Sequence, residues 1–129
     1  MLISIAVELA DCIIRIFDTA GRYNIDLDQA AKFQNESIDY EEYTFDKLIN
    51  IMHMKLSKAL EEYRNHKGIN EIYNNGEKFC GIPVELASCI TIILNTLNST
   101  LYDKSPYEII REKMKYNQKR PYRHGGKAI

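Results

Sequence analysis

The amino-acid sequence predicts an all-α fold, and three observations carry that expectation. At residues 7–18, V-E-L-A-D-C-I-I-R-I-F-D, the polar residues Glu8, Asp11, Arg15 and Asp18 recur every three or four positions in an otherwise apolar run, which is helical spacing. The same frame, V-E-L-A-x-C-I, returns at 84–95. Each copy is followed by a capping-box pattern, Asp26 to Gln29 and Ser105 to Glu108, in which a capping side chain stands three residues ahead of Gln or Glu. No segment alternates apolar and polar residues in the manner of a half-buried strand.

The elements follow in order. Residues 3–21 read as a helix closed by Gly21, a residue suited to a C-terminal cap. A short helix runs from Asp26 to about Asn35. The acidic segment 36–46 holds a turn, and a second long helix spans 44–66 with an apolar stripe at Leu48, Met52, Leu56, Ala59 and Tyr63. Lys55, Lys58 and Glu62 lie on one flank of that stripe. Residues 67–81, with Gly68, Asn74-Asn75-Gly76 and Gly81, read as a loop. Pro83 suits the first turn of a third long helix over 83–100, and Ser105-Pro106 opens a last helix to about Asn117. A basic, glycine-rich extension follows from Lys119 to Lys127.

Bulk composition sets the class. A chain of 129 residues with 45% apolar and 27% charged residues and a net charge of −1 forms one domain with a modest core. No apolar run reaches the roughly 18 residues of a membrane span. The start, Met1-Leu2-Ile3-Ser4, lacks the basic region of a signal peptide, so a cytoplasmic location is expected. The three cysteines, Cys12, Cys80 and Cys89, form no C-x-x-C pair. Two of them fall at apolar helix positions, which points to reduced core thiols rather than disulfides or zinc.

The stripe at 7–18 poses the chemical question. A helix apolar almost all round is normally buried, and buried carboxylates need a partner charge or a metal. Two readings are open: a row of internal ion pairs with Arg15 four residues from Asp11, or a divalent cation held by Glu8 and Asp11. In the second copy Glu8 is matched by Glu85, but Asp11 becomes Ser88, Arg15 becomes Ile92 and Asp18 becomes Asn95. The apolar frame is kept while most of the charges are lost. The repeat extends through the following helix, so that 1–35 corresponds to the last two helices of the chain.

E-L-A-D on an apolar helix, A-L-E-E-Y-R at 59–64, and E-x-I-R-E-K-M-x-Y-N-x-x-R-P-Y-R-H-G-G-K at the C-terminus resemble the MazG-like all-α nucleotide pyrophosphohydrolases. The resemblance covers about 44–127 and is strongest in its C-terminal run. It implies a helical bundle completed by dimerisation, with residues 1–35 as a displaced repeat within the single domain. It also implies a Mg²⁺ site, with Mn²⁺ as the other candidate. An E-x-x-E pair on one helix and an E-x-x-D pair on the next hold the metal, and water attacks between the α and β phosphorus of a nucleoside triphosphate to give a monophosphate and pyrophosphate. Hard carboxylate oxygens suit such a cation.

Carried onto this chain, the pattern places Lys55 and Lys58 where the E-x-x-E pair belongs, and Glu85 with Ser88 where the E-x-x-D pair belongs. Lys55 and Lys58 are expected to pair with Glu85. The N-terminal copy keeps Glu8 and Asp11 but has no upstream helix, so further ligands would come from Glu41, Glu42, Glu61, Glu62 or another subunit. The candidate metal set is therefore Glu8, Asp11, Glu62 and Glu85. The resemblance assigns phosphate binding to Lys113, Asn117 and Arg120, which share one helical face, joined by Arg123 and Lys127. His53 reads as a surface residue. Two functions follow: a pyrophosphohydrolase with a rebuilt metal site, or an inactive relative that binds nucleotide or a helical partner. A homodimer or higher homo-oligomer is expected, with neither nucleic acid nor membrane as partner.

Overall fold

The computed structural model describes residues 2–34, 42–100 and 104–119. Five helices form it: α1 (Leu2–Tyr23), α2 (Leu27–Ala31), α3 (Phe45–Arg64), α4 (Ile82–Thr100) and α5 (Pro106–Lys119). Between α3 and α4 lies a two-stranded antiparallel hairpin of β1 (Tyr73–Asn74) and β2 (Phe79–Cys80), with Tyr73 opposite Cys80. The chain is mainly helical, as its periodicity predicts. The hairpin is a correction to the loop expected there. Its strands are two residues long, too short to show alternation.

The helix ends follow local chemistry, with one shift. The Asp26 carboxylate accepts from the Gln29 amide at 3.0 Å and Thr44 Oγ1 from the Lys47 amide at 3.3 Å. At Ser105 the box is reciprocal: the hydroxyl accepts from the Glu108 amide and the Glu108 carboxylate from the Ser105 amide, both at 3.2 Å. The first helix runs past Gly21 and stops at Asn24, whose φ of 57° turns the chain. The Ile25 amide then returns to the Ala20 carbonyl at 2.8 Å. His66, at φ 63°, ends α3 the same way, with the Lys67 amide donating to Glu62 O at 3.0 Å. Both are left-handed closures of the Schellman type. The second helix is only Leu27–Ala31, shorter than expected.

Helix α4 is the centre. Every residue from 81 to 90 is buried, and α3, α1 and α2 all pack on it, with α5 touching it more lightly. Ile13 of α1 meets Ile92, Ile93 and Leu97 of α4 in the core, all of them almost wholly enclosed. The repeat is arranged by exchange. The first long helix, α1, packs against α5, the short helix of the second copy, while α4 packs against α2, the short helix of the first. A hydrogen bond from Gln34 Nε2 to Thr91 Oγ1 at 3.1 Å ties the end of the α2 segment to α4.

The stripe of α1 is a second correction. Glu8, Arg15 and Asp18 are exposed and Asp11 is only partly covered. The apolar positions split: Leu9, Ala10, Ile13 and Ile16 are buried, whereas Cys12 and Phe17 are exposed. Cys12 is thus a surface thiol, not a core one. Cys80 and Cys89 are buried as free thiols, and burial pushes Cys89 up to about 11.

Two glycines make a contrast. At Gly81 φ is +130° and an added Cβ would collide with the Glu71 carbonyl oxygen, so Gly81→Ala should destabilise by about 1–3 kcal/mol. At Gly21, inside α1, an added Cβ meets nothing within 4 Å, so Gly21→Ala should stabilise by about 0.5–1 kcal/mol. Urea unfolding of the two variants checks both signs.

Candidate functional site

Two charged groups occupy the regions that the sequence singles out. The first lies between α3 and α4. The buried stripe of α3 is Leu48, Met52, Lys55 and Ala59, so helical register carries Lys55 into the apolar interface. Its ammonium stands 3.9 Å from Glu85 Oε1, with side-chain exposures of 3% and 6%. Glu85 sits in the first turn of α4, where the helix dipole favours a carboxylate. Ser88, one turn on, is also buried. The expected pairing of Lys55 with Glu85 is present. Lys58 is instead exposed, one turn beyond Lys55.

Beside this pair, the Tyr73 hydroxyl donates to the Glu62 carboxylate and lies 2.7 Å from both of its oxygens. That bond, with burial added, pushes the phenol well above its usual value. The Lys67 ammonium rests 4.4 Å from the Tyr73 ring centre. Cys80 lies among these charges: burial raises its thiol first, Glu62 and Glu85 add to the rise, and Lys78 and Lys58 oppose it. Tyr73 was invisible to sequence reasoning because it falls in a segment read as loop, and no spacing rule links it to Glu62.

The second group joins α1 to α5. Arg15 Nε donates to Asp11 Oδ2 at 3.0 Å and Asn117 Nδ2 donates to Asp11 Oδ1 at 3.3 Å. Burial alone would raise the Asp11 carboxyl, but these two bonds and the charges of Arg15 and Lys113 outweigh it and hold the group below its ordinary value. The ion-pair reading of the stripe therefore describes Asp11 and Arg15, as it does Asp18, whose Oδ2 lies 3.5 Å from Arg22 Nη2. Of the residues assigned to phosphate on α5, Asn117 bonds a carboxylate assigned to metal on α1, and the charge of Lys113 acts on the same carboxylate. Lys113 lies 4.8 Å from the Tyr116 ring centre and borders a 390 Å³ cleft with Val7, Ile109 and Glu112.

The four candidate metal ligands are not brought together. Glu85 faces Lys55, Glu62 faces Tyr73, Asp11 faces Arg15 and Asn117, and Glu8 is exposed. Among the described residues, no three His, Cys, Asp or Glu side chains gather as a metal-holding group. The donor chemistry around Glu85 fits an ammonium rather than Mg²⁺. Glu41, Arg120, Arg123 and Lys127 lie outside the described residues. No helix among the described residues is long and apolar enough to cross a membrane.

Removing one member of the buried pair leaves the other uncompensated. Lys55→Met should cost about 3–5 kcal/mol in urea unfolding, whereas Lys55→Met with Glu85→Leu should recover most of it. A second expectation concerns acid. Asp11 has a folded-state value below its unfolded one, so its stabilisation is complete at neutral pH and disappears as pH falls through the folded value. Asn117→Ala removes a donor, so the Asp11 titration midpoint, followed by carboxyl-carbon NMR, should move upward and the stability lost in acid should shrink. Comparison with family models, curated proteins and solved structures finds no match to this chain.

Proposed function

We propose that this chain is a catalytically inactive MazG-like helical protein, in which an internal ion pair stands where the related enzymes hold a metal. The observation that carries this reading is Lys55, whose ammonium reaches Glu85 in a buried interface. A divalent cation placed there would face a fixed positive charge and would have to displace it. Ser88 supplies a neutral hydroxyl where a carboxylate would be needed. Such a protein works by binding: it takes a nucleotide without cleaving it, or it presents its helices to a partner.

The second reading, a nucleoside triphosphate pyrophosphohydrolase rebuilt around Glu8 and Asp11 with Mg²⁺ or Mn²⁺, draws on one observation. Helix α5 brings Asn117 to Asp11, with the charge of Lys113 acting on the same carboxylate. Asp11 is already engaged by Arg15 and Asn117, and this favours the first reading.

The two readings separate in one assay. Incubated with each common nucleoside triphosphate and Mg²⁺ or Mn²⁺, the protein should release no pyrophosphate above the no-protein control. Calorimetry should show Mg²⁺ binding to the combined variant Lys55→Glu, Lys58→Glu, Ser88→Asp and none at this position in the parent. Pyrophosphate release by the parent that Asp11→Asn abolishes would establish the second reading instead.

A further inference from the structure

Two of the three thiols hold the same place in the repeated frame. Cys12 on α1 and Cys89 on α4 are the cysteines of V-E-L-A-x-C-I, and α1 packs on α4. Equivalent positions of two copies approach each other only where the copies face one another. Here both cysteines border a single cleft of 120 Å³ with apolar walls at Leu9, Ile49 and Ile93. They reach it from different depths. Cys12 is exposed, whereas Cys89 is fully enclosed, its thiol 4.0 Å from the Met52 carbonyl of α3. Cys80 is buried as well but does not line this cleft.

Each thiol is held protonated by its surroundings. Burial pushes Cys89 up to about 11, and a negative charge on Cys12 adds to the rise. Burial also raises Cys12, with Asp11 and Glu8 adding to it and Arg15 opposing. Thiolate is therefore scarce at neutral pH, and exchange with an oxidant is slow. A disulfide carries no charge, so the apolar cleft that penalises a thiolate accommodates it.

We propose that Cys12 and Cys89 form an oxidisable dithiol site, in which the exposed Cys12 thiol takes up a low-molecular-weight disulfide and the enclosed Cys89 thiol resolves it into a bond between α1 and α4. In the first step the Cys12 sulfur, having lost its proton, attacks one sulfur of the small disulfide. A mixed disulfide forms and one small thiolate leaves. In the second step the Cys89 sulfur, also deprotonated, attacks the Cys12 sulfur and expels the other small thiolate. Two protein thiols are oxidised, one small disulfide is reduced, and the two released thiolates take up the two protons. Access dictates the order: a bulky oxidant meets Cys12 in solvent and cannot reach Cys89. The bond closes more than half of the chain into one loop, which restricts the unfolded state. This thiol chemistry needs neither nucleotide nor metal, so it holds under either proposed function.

Oxidised glutathione is the probe, applied to the full-length Cys80→Ser variant so that Cys12 and Cys89 are its only thiols. After an acid quench, intact-mass spectrometry should show a single chain that has lost two hydrogens, carries no glutathione and no longer reacts with a maleimide. Its thermal midpoint should rise by roughly 10 °C and fall back with dithiothreitol. The unaltered chain should form the same internal bond and keep one free thiol, Cys80. In the Cys80→Ser background, adding Cys89→Ser should stop the reaction at one glutathione on Cys12. Adding Cys12→Ser instead should leave Cys89 unmodified in the folded protein. Glutathione retained on Cys12 while Cys89 is present, two chains cross-linked in place of the internal bond, an unreactive dithiol, or modification of Cys89 without Cys12 would overturn the proposal.

Discussion

The first half of helix α4, residues 82–90, is enclosed on all sides, and most of the architecture follows from that enclosure. Every residue of that stretch is buried, whereas further along only one side is, with Leu94, Asn95 and Asn98 exposed, and burial of each large aliphatic side chain is worth about 1.5–3 kcal/mol. No single neighbour can cover such a cylinder. Helix α3 takes one side, α1 and α2 take others, and α5 closes part of the remainder while leaning chiefly on α1. The hairpin and Gly81 then deliver the chain into α4 closely enough that the glycine passes the Glu71 carbonyl with no room for a side chain.

Enclosure determines the electrostatics. Glu85 is on the enclosed cylinder and therefore needs a compensating charge, because an isolated buried carboxylate is costly. Lys55 arrives from α3 in register with the apolar stripe and supplies it. Glu8 holds the same place in the repeated frame but lies on α1, which is covered on fewer sides, and water solvates it. Identical local sequence thus acquires opposite environments. Asp11 lies between these extremes: partly covered by α5, it is held ionised by Arg15 from its own helix and Asn117 from α5.

This geometry bears on how charged residues on an apolar helix are interpreted. A stripe such as Glu8, Asp11, Arg15 and Asp18 suggests a buried site when the helix is considered alone. Within the fold, its i, i+4 spacings close two exposed ion pairs, Asp11 with Arg15 and Asp18 with Arg22, each worth little in water. The carboxylates with the closest enforced partners lie where other elements cover them: Glu85 with Lys55, and Glu62 under the Tyr73 hydroxyl. Function, whether binding or catalysis, is constrained first by these occupied carboxylates.

Periodicity, capping residues and the repeated frame were enough to determine the helices, most of their starts, and the core positions Leu9, Ile13, Leu48, Met52 and Leu86, because all of these depend on neighbours within a few residues or on register along one helix, whereas the pairing of Lys55 with Glu85, which joins two helices, was expected only through the family resemblance. The end at Asn24 was less legible, since a left-handed closure there competes with the nearby Gly21 as a stop. The exposure of the α1 stripe and of Cys12, the Tyr73–Glu62 bond and the meeting of Asp11 with Asn117 were decided only by tertiary structure. They depend on which helix lies across which, and on α1 packing with α5 while α2 packs with α4. Two copies of one local pattern cannot specify that exchange, because each copy would have served equally well as its own partner.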